Sequence, residues 1–182
     1  MRVLYFGYGE MGCVGYEVLR AQGEDVPVVV THEDDPEERR WFRSLAELAF
    51  RSGARVVYGE RLSRRGLAAL ARRVRPDAIL SCFYRRLLPE AVLAIPPRGA
   101  FNLHGSLLPR LRGRAPLNWA LVEGETRTGV TLHYMIREPD AGDIVAQRGW
   151  DIGPRDTIRD LWARAVREGR WLLEEAWPRI RA

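Results

Sequence analysis

Short apolar segments alternate with helical segments through the first hundred residues, and this alternation constrains the fold more than any other feature. Segments with the length of β-strands lie at 2–6, 26–31, 54–58, 77–83 and 99–104. Segments with the apolar spacing of helices lie between them, at 13–23, 40–52, 62–75 and 88–95. Because a helix between two strands usually carries the chain over to a parallel strand, the pattern predicts an open, mostly parallel α/β sheet with helices on both faces.

The last third of the chain departs from this alternation. Helices are predicted at 115–123 and 156–177, but no helical segment separates the two strands at 128–136 and 143–150. Strands joined by a short connection pair antiparallel. With 182 residues, 46% of them hydrophobic, the chain is predicted to be one domain over residues 1–182, a Rossmann-like sheet extended by an antiparallel pair.

Composition narrows the classes of function. The net charge of +5 and the pI of 9.7 come entirely from arginine, whose high pKa inflates a calculated pI. The arginines surround apolar helix faces, and no zinc-finger, RNP or basic-zipper pattern is present, which argues against a nucleic-acid partner. No apolar run of about 18 residues and no signal peptide is present, so a cytoplasmic location is expected. The two cysteines, Cys13 and Cys82, lack metal-ligand spacing and are expected to be buried thiols.

A glycine-rich turn follows the first strand. Gly7, Gly9 and Gly12 form a GxGxxG pattern, and Glu33 lies near the end of the second strand, as in a dinucleotide-binding fold. Any tight turn from a strand into a helix also favours residues without a Cβ. Two interpretations therefore stand, a nicotinamide site and a tight turn, and the rest of the chain favours the second.

The segment FNLHGS, residues 101–106, carries the strongest chemical signal. In an extended strand Asn102 and His104 lie on one face, with Ser106 if the strand continues, while Phe101 and Leu103 lie on the other. The carboxyl ends of parallel strands are where ligands bind. An amide and an imidazole side by side can donate hydrogen bonds to an oxyanion, and the imidazole can also move a proton. The segment therefore predicts chemistry at a carbonyl carbon.

A carboxylate partner for His104 is expected in the loop PDAGDI. Asp140 and Asp143 are both candidates, and sequence spacing does not decide between them. A carboxylate beside an imidazole favours the imidazolium, so the partner is expected to raise the pKa of His104.

Other conspicuous side chains are interpreted structurally. His133 is expected to pack in its strand, with contact to the acceptor as the alternative. His32, beside Glu33, Asp34 and Asp35, is expected in a solvated acidic loop and not in a metal site. Ser106 is expected to cap the loop or bond substrate, and no metal is predicted. Trp162 and Trp171 are expected in the core of the last helix.

The sequence resembles the formyltetrahydrofolate-dependent formyltransferases. The resemblance is carried by MGCVG, THEDDP, SCFYRRLLP and the segment from 100 to 147, which contains NLHGSLLP and DAGDI. It is strongest to the formyltransferase domain of the enzyme that modifies UDP-4-amino-4-deoxy-L-arabinose and then to the catalytic domain of methionyl-tRNA formyltransferase. It implies the formyltransferase fold and a donor, 10-formyltetrahydrofolate, with a small amine as acceptor and no metal.

The resemblance also implies roles for individual residues. Asn102 and His104 match the asparagine and histidine at the formyl carbon, and Asp140 matches the aspartate that orients the histidine. The implied folate pocket is formed by two segments and one arginine: Arg86, Leu87 and Leu88; Ile136, Arg137, Glu138, Pro139 and Asp140; and Arg114.

The sequence does not identify the molecule that accepts the formyl group. Both of these relatives continue into a further small domain, whereas this sequence stops at residue 182, so a single catalytic domain without a C-terminal barrel is expected. That favours an amino sugar nucleotide or another small amine over methionyl-tRNA. The shorter phosphoribosylglycinamide formyltransferase leaves phosphoribosylglycinamide as a further alternative. A nicotinamide-dependent oxidoreductase and a non-catalytic folate-binding relative are the remaining hypotheses.

Overall fold

A computed structural model describes residues 1–37 and 40–182. The described residues form seven strands and six α-helices. In chain order they are β1 (Arg2–Gly7), α1 (Gly9–Ala21), β2 (Asp25–Thr31), α2 (Leu45–Arg51), β3 (Arg55–Tyr58), α3 (Arg64–Val74), β4 (Ala78–Cys82), α4 (Glu90–Leu93), β5 (Ala100–His104), α5 (Pro116–Val122), β6 (Arg127–Tyr134), β7 (Ile144–Asp151) and α6 (Ile158–Arg181). Strands and helices alternate as far as β6, and β7 follows β6 with no helix between them.

The strands form one mostly parallel sheet, as the alternation predicts. Its strand order is β3-β2-β1-β4-β5-β6-β7. β1 pairs in parallel with both β2 and β4, and β2 pairs in parallel with β3. β6 and β7 pair antiparallel, so the predicted antiparallel addition is confirmed. No helix within the described ranges is long and apolar enough to cross a membrane.

The chain divides into two compact units, Met1–Phe101 and Asn102–Ala182. In the first unit β1 is buried from Val3 onward, as expected for a central parallel strand covered on both faces. The Tyr5 hydroxyl donates to the Gly12 carbonyl at 2.7 Å, which joins β1 to α1. β1 therefore lies in the apolar core of this unit.

Both thiols lie in that core. Cys13 and Cys82 are free and fully buried. Burial raises the pKa of each thiol to about 12, so neither is a thiolate near neutral pH. The prediction that both cysteines are buried thiols is confirmed.

In the second unit α6 packs on β6 and β7. Its core tryptophan is Trp177, which is fully buried. The prediction for Trp171 was wrong: its side chain is 42% exposed, and the guanidinium groups of Arg148 and Arg167 lie 5.3 and 5.5 Å from its ring centroid. Helical spacing alone does not tell which tryptophan faces the sheet, because long arginine stems can cover an aromatic ring at the surface.

Capping explains where two helices begin. The Ser63 hydroxyl accepts the backbone N–H of Gly66 at 3.1 Å, as predicted for the start of α3. α2 begins at Leu45, later than the predicted position 40, because Ser44 caps it by accepting the N–H of Glu47. A serine hydroxyl satisfies a helix-end N–H that would otherwise lack a partner.

Replacing the α3 cap tests its contribution to stability. We expect Ser63→Ala to lower the free energy of unfolding by about 1 kcal/mol, since the Gly66 N–H then loses its acceptor. Ser63→Asp retains an acceptor and is expected to unfold at nearly the wild-type urea concentration. Equal loss in both variants would contradict the cap.

Candidate active site

The carboxyl end of β5 presents a polar face, as the alternation of FNLHGS predicts. Phe101 and Leu103 are fully buried on one face. On the other face Asn102 is half-buried and His104 is 6% exposed. Since buried polar groups require hydrogen-bond partners, the contacts of these two side chains define the site.

His104 is held by the loop that follows β5. Its Nε2 lies 3.0 Å from the carbonyl oxygen of Leu111. A carbonyl only accepts, so Nε2 carries a hydrogen and donates it. Nδ1 faces Asp140, whose Oδ1 lies 3.6 Å away. The imidazole is thus fixed between a backbone carbonyl and a carboxylate.

Ser106 shapes the same loop. Its hydroxyl is buried and donates to the carbonyl of Arg110 at 2.7 Å, with a longer contact of 3.4 Å to that of Leu111. These contacts bring the Leu111 carbonyl toward His104. The hydroxyl therefore serves as a loop cap, the first of the two roles expected for Ser106.

The pKa of His104 is lowered from its ordinary value. Burial is the largest cause, and His133 adds to it, while Asp140 and the Leu111 carbonyl oppose the shift. Asp140 acts on the pKa of His104 in the expected upward direction, but the net shift is downward, because desolvation of the imidazolium outweighs one carboxylate at 3.6 Å. His104 is consequently neutral at neutral pH.

Asp140 is the aspartate that faces the histidine. It follows β6 in a left-handed backbone conformation, with φ of +52°, and its Oδ2 accepts the N–H of Gly113 at 2.9 Å. Burial, the largest influence, raises its pKa, but His133, His104 and the Gly113 N–H together hold the pKa below its ordinary value. Asp143, the other candidate, has an exposed side chain, and its backbone carbonyl accepts the N–H of Tyr134.

A second histidine belongs to this cluster. His133 is fully buried in β6, and its Nδ1 lies 2.8 Å from the Tyr134 carbonyl, which must accept a hydrogen from it. In the neutral ring Nε2 is then an acceptor, and the Asn102 Nδ2 lies 3.2 Å from it. Oδ1 of Asp140 is 3.6 Å from the same nitrogen. His133 therefore orients the Asn102 amide.

The interpretation of His133 as a packing residue missed this hydrogen bond. The alternation of TGVTLHYMI signalled only that Thr131, His133 and Met135 share a face of the strand. Which residue of another strand that face meets depends on the long-range pairing of the chain, and sequence spacing does not encode it.

Residues assigned by resemblance to the donor pocket differ in exposure. In the first unit Leu87 is 74% exposed and Leu88 is buried, while the Arg86 guanidinium donates to the Gly59 carbonyl. In the second unit the assigned residues other than Asp140 are exposed, and they are Arg114, Ile136, Arg137, Glu138 and Pro139. Their ligand contacts stay predictions.

The glycine-rich turn is closely packed. Gly9 has φ of +60°, and a Cβ on it would lie 3.3 Å from the Phe42 ring. A Cβ on Gly12 would lie 3.1 Å from the backbone of Gly7. Backbone conformation and packing thus account for these glycines, which supports the interpretation of a tight turn.

Comparison with known proteins identifies the class. A family model described as formyl transferase matches residues 1–177. The chain belongs to the formyl transferase family and is an enzyme of the group-transfer class, as the resemblance implied.

Solved structures share the fold of this chain. The glycinamide ribonucleotide transformylase 1 of Symbiobacterium toebii is similar at 25% identity with a TM-score of 0.80, covering 97% of this chain and 85% of that one. The phosphoribosylglycinamide formyltransferase of Bacillus halodurans has 20% identity, a TM-score of 0.83 and coverage of 99% and 95%. An N-formyltransferase of Helicobacter canadensis, in complex with folinic acid and dTDP-3-aminofucose, has 22% identity, a TM-score of 0.80 and coverage of 98% and 63%.

Removing the Asp140 carboxylate tests its influence on His104. We expect Asp140→Asn to lower the pKa of His104 further, because the charge that opposes the burial effect is lost. The pKa is measured by NMR titration of the imidazole resonances, assigned with single histidine variants. Asp143→Asn is the matched control and should leave the pKa of His104 unchanged. An unchanged pKa in Asp140→Asn would show that the carboxylate does not act on the imidazole.

Proposed function

We propose that this formyl transferase moves the formyl group of 10-formyltetrahydrofolate to a primary amine of a small acceptor. The observation that carries the proposal is the cluster of Asn102, His104 and Asp140, which His133 joins together. Oδ1 of Asp140 lies 3.6 Å from a ring nitrogen of both His104 and His133, and Nε2 of His133 lies 3.2 Å from the Asn102 amide nitrogen. An amide donor, a neutral imidazole and a carboxylate suit the addition of an amine to a formyl carbon.

Asn102 would stabilise the oxyanion. The attacking amine forms a bond to the formyl carbon, and the carbonyl oxygen becomes negatively charged. One N–H of the Asn102 amide points to His133 Nε2, and the second N–H would donate to this oxygen. Because His133 sets the orientation of the amide beforehand, no reorganisation is needed as the charge develops.

His104 would move the proton. The neutral imidazole takes a proton from the attacking nitrogen and gives it to N10 of the folate as the bond between N10 and the formyl carbon breaks. A proton at Nδ1 faces Oδ1 of Asp140 at 3.6 Å, so the transient imidazolium forms beside a carboxylate. Asp140 would therefore stabilise the charged intermediate state while burial keeps the resting imidazole neutral.

The donor would be held by the residues that the resemblance assigns to it. Leu87 follows β4 and offers apolar surface for a pterin ring, with the buried Leu88 beside it in the chain. Arg86 and Arg114 carry positive charge suited to the folate carboxylates. The segment Ile136–Asp140 would supply backbone groups, with Ile136 45% exposed. These contacts remain proposals.

Two acceptors are proposed, an amino sugar nucleotide and phosphoribosylglycinamide. Each carries a primary amine and a phosphorylated sugar. The solved structures that are similar include enzymes named for phosphoribosylglycinamide and one bound to an amino sugar nucleotide. The shared chemistry is an amine nucleophile on an anionic sugar, in keeping with the net charge of +5.

The donor is tested by calorimetric titration with 5-formyltetrahydrofolate, a stable analogue, beside a titration with NADH. We expect binding of the folate and none of NADH. Transfer is then measured with 10-formyltetrahydrofolate and each acceptor in separate reactions, and product appears with the true acceptor. Binding of NADH alone would refute the proposal and restore the nicotinamide interpretation of the glycine-rich turn.

Substitution of Asn102 tests the oxyanion contact. We expect Asn102→Ala to reduce turnover by two to three orders of magnitude, since losing one oxyanion donor costs about 3 to 4 kcal/mol in the barrier, while folate binding stays nearly unchanged. Asn118→Ala makes the same side-chain change at an exposed position of α5 and should have no effect on turnover. Wild-type turnover in Asn102→Ala would remove Asn102 from the mechanism.

A further inference from the structure

His32 lies in a buried aromatic cluster directly after β2. His32 is 4% exposed, so the expectation that it lies in a solvated acidic loop was wrong. The ring stacks on Tyr84, with centroids 4.4 Å apart and planes inclined by 21°. Tyr8 meets it edge-on at 5.5 Å. The imidazole is thus confined on two sides within the first unit.

Two hydrogen bonds fix the tautomer of His32. The backbone N–H of Arg85 lies 2.9 Å from Nε2 and can only donate, so Nε2 accepts. The proton of the neutral ring is then on Nδ1, which donates to Oε1 of Glu60. Burial lowers the pKa of His32 and outweighs the opposing influence of Glu60, which is consistent with a neutral ring.

The segment that donates this hydrogen bond, residues 83–86, begins in a strained backbone conformation. It starts at Phe83, whose φ of +58° is unfavourable for a residue with a Cβ. The Arg85 guanidinium lies 4.1 Å from the centroid of the Tyr8 ring, and the Arg86 guanidinium donates to the Gly59 carbonyl. Residues that follow β1, β2 and β3, namely Tyr8, His32 and Gly59, therefore hold Arg85 and Arg86 in place after this strained position.

We propose that His32 is a positioning residue for the formyl donor, because it holds the backbone of Arg85 and thereby sets the path of Arg86, Leu87 and Leu88. This inference rests on the proposed function, which assigns those three residues to the donor pocket. His32 does not touch the reacting atoms. His32, which follows β2, connects two other segments. Its Nδ1 donates to Glu60, which follows β3, and its Nε2 accepts the N–H of Arg85, which follows β4.

The acceptor on His32 is removed by His32→Leu and retained by His32→Gln. We expect His32→Leu to raise the Kd for 5-formyltetrahydrofolate and the KM for the donor about tenfold, with kcat and the acceptor KM within about threefold of wild type. His32→Gln, whose side-chain oxygen can accept the Arg85 N–H, should restore most of the affinity. A leucine variant with wild-type Kd, or a glutamine variant as weak as leucine, would overturn the proposal.

Glu60 offers a second route that leaves the imidazole in place. Glu60→Leu removes the acceptor of the Nδ1 proton, and its side chain is 44% exposed, so the substitution is compatible with folding. We expect about threefold weaker folate binding, whereas Glu60→Gln keeps an acceptor oxygen and should match wild type. Should His32→Leu fail to fold, an unchanged Kd in Glu60→Leu would still overturn the proposal.

Hydrogen exchange separates this inference from the proposed function. The amide of Arg85 is expected to exchange about tenfold faster in His32→Leu than in wild type, without any ligand present. Unchanged exchange would refute the link itself. A wild-type protein that does not bind 5-formyltetrahydrofolate would refute the donor assignment, whereas wild-type binding that His32→Leu leaves unchanged would refute only the role of His32.

Discussion

Burial of a polar strand end is the constraint on which the site depends. At the end of β5 the side chain of His104 is buried and that of Asn102 is half-buried, and each replaces the hydration it loses with a protein partner. Leu111, His133 and Asp140 supply those partners. The loop conformation follows from the same need, since Ser106 holds the carbonyls of the turn and Gly113 donates its N–H to the Asp140 carboxylate.

The same burial determines the charge of the site. An imidazole that was solvated beside Asp140 would become more basic, but in this protein desolvation prevails and His104 rests neutral. A neutral imidazole can accept a proton from an amine, which an imidazolium cannot do. Asp140 keeps its negative charge and lies where a transient positive charge on His104 would form. The electrostatics thus favour proton uptake during the reaction over a permanent cation.

Much of the fold could be predicted because its signals are local. The alternation of strands and helices, the antiparallel pairing of β6 with β7 and the cap at Ser63 all follow from short-range periodicity or from one side chain near its own backbone. The start of α2 was predicted too early, since the competing cap at Ser44 begins the helix five residues later. The prediction that Trp171 lies in the core was wrong for a different reason. Its ring is at the surface, where the guanidinium groups of Arg148 and Arg167 lie against it.

By itself the sequence determined that Asn102 and His104 share a face at a strand end and that the chain is a formyl transferase, because a two-residue period and a long motif are both written in consecutive positions. Three features of the site could be seen only in the tertiary structure. Asp140, and not Asp143, faces His104; the Asn102 amide lies within hydrogen-bond distance of His133; and burial lowers the pKa of His104. The structure also places His32 in an aromatic cluster, where the sequence had led us to expect a solvated loop. Each of these outcomes depends on residues far apart in the chain and on the exclusion of water, and neither can be deduced from local spacing.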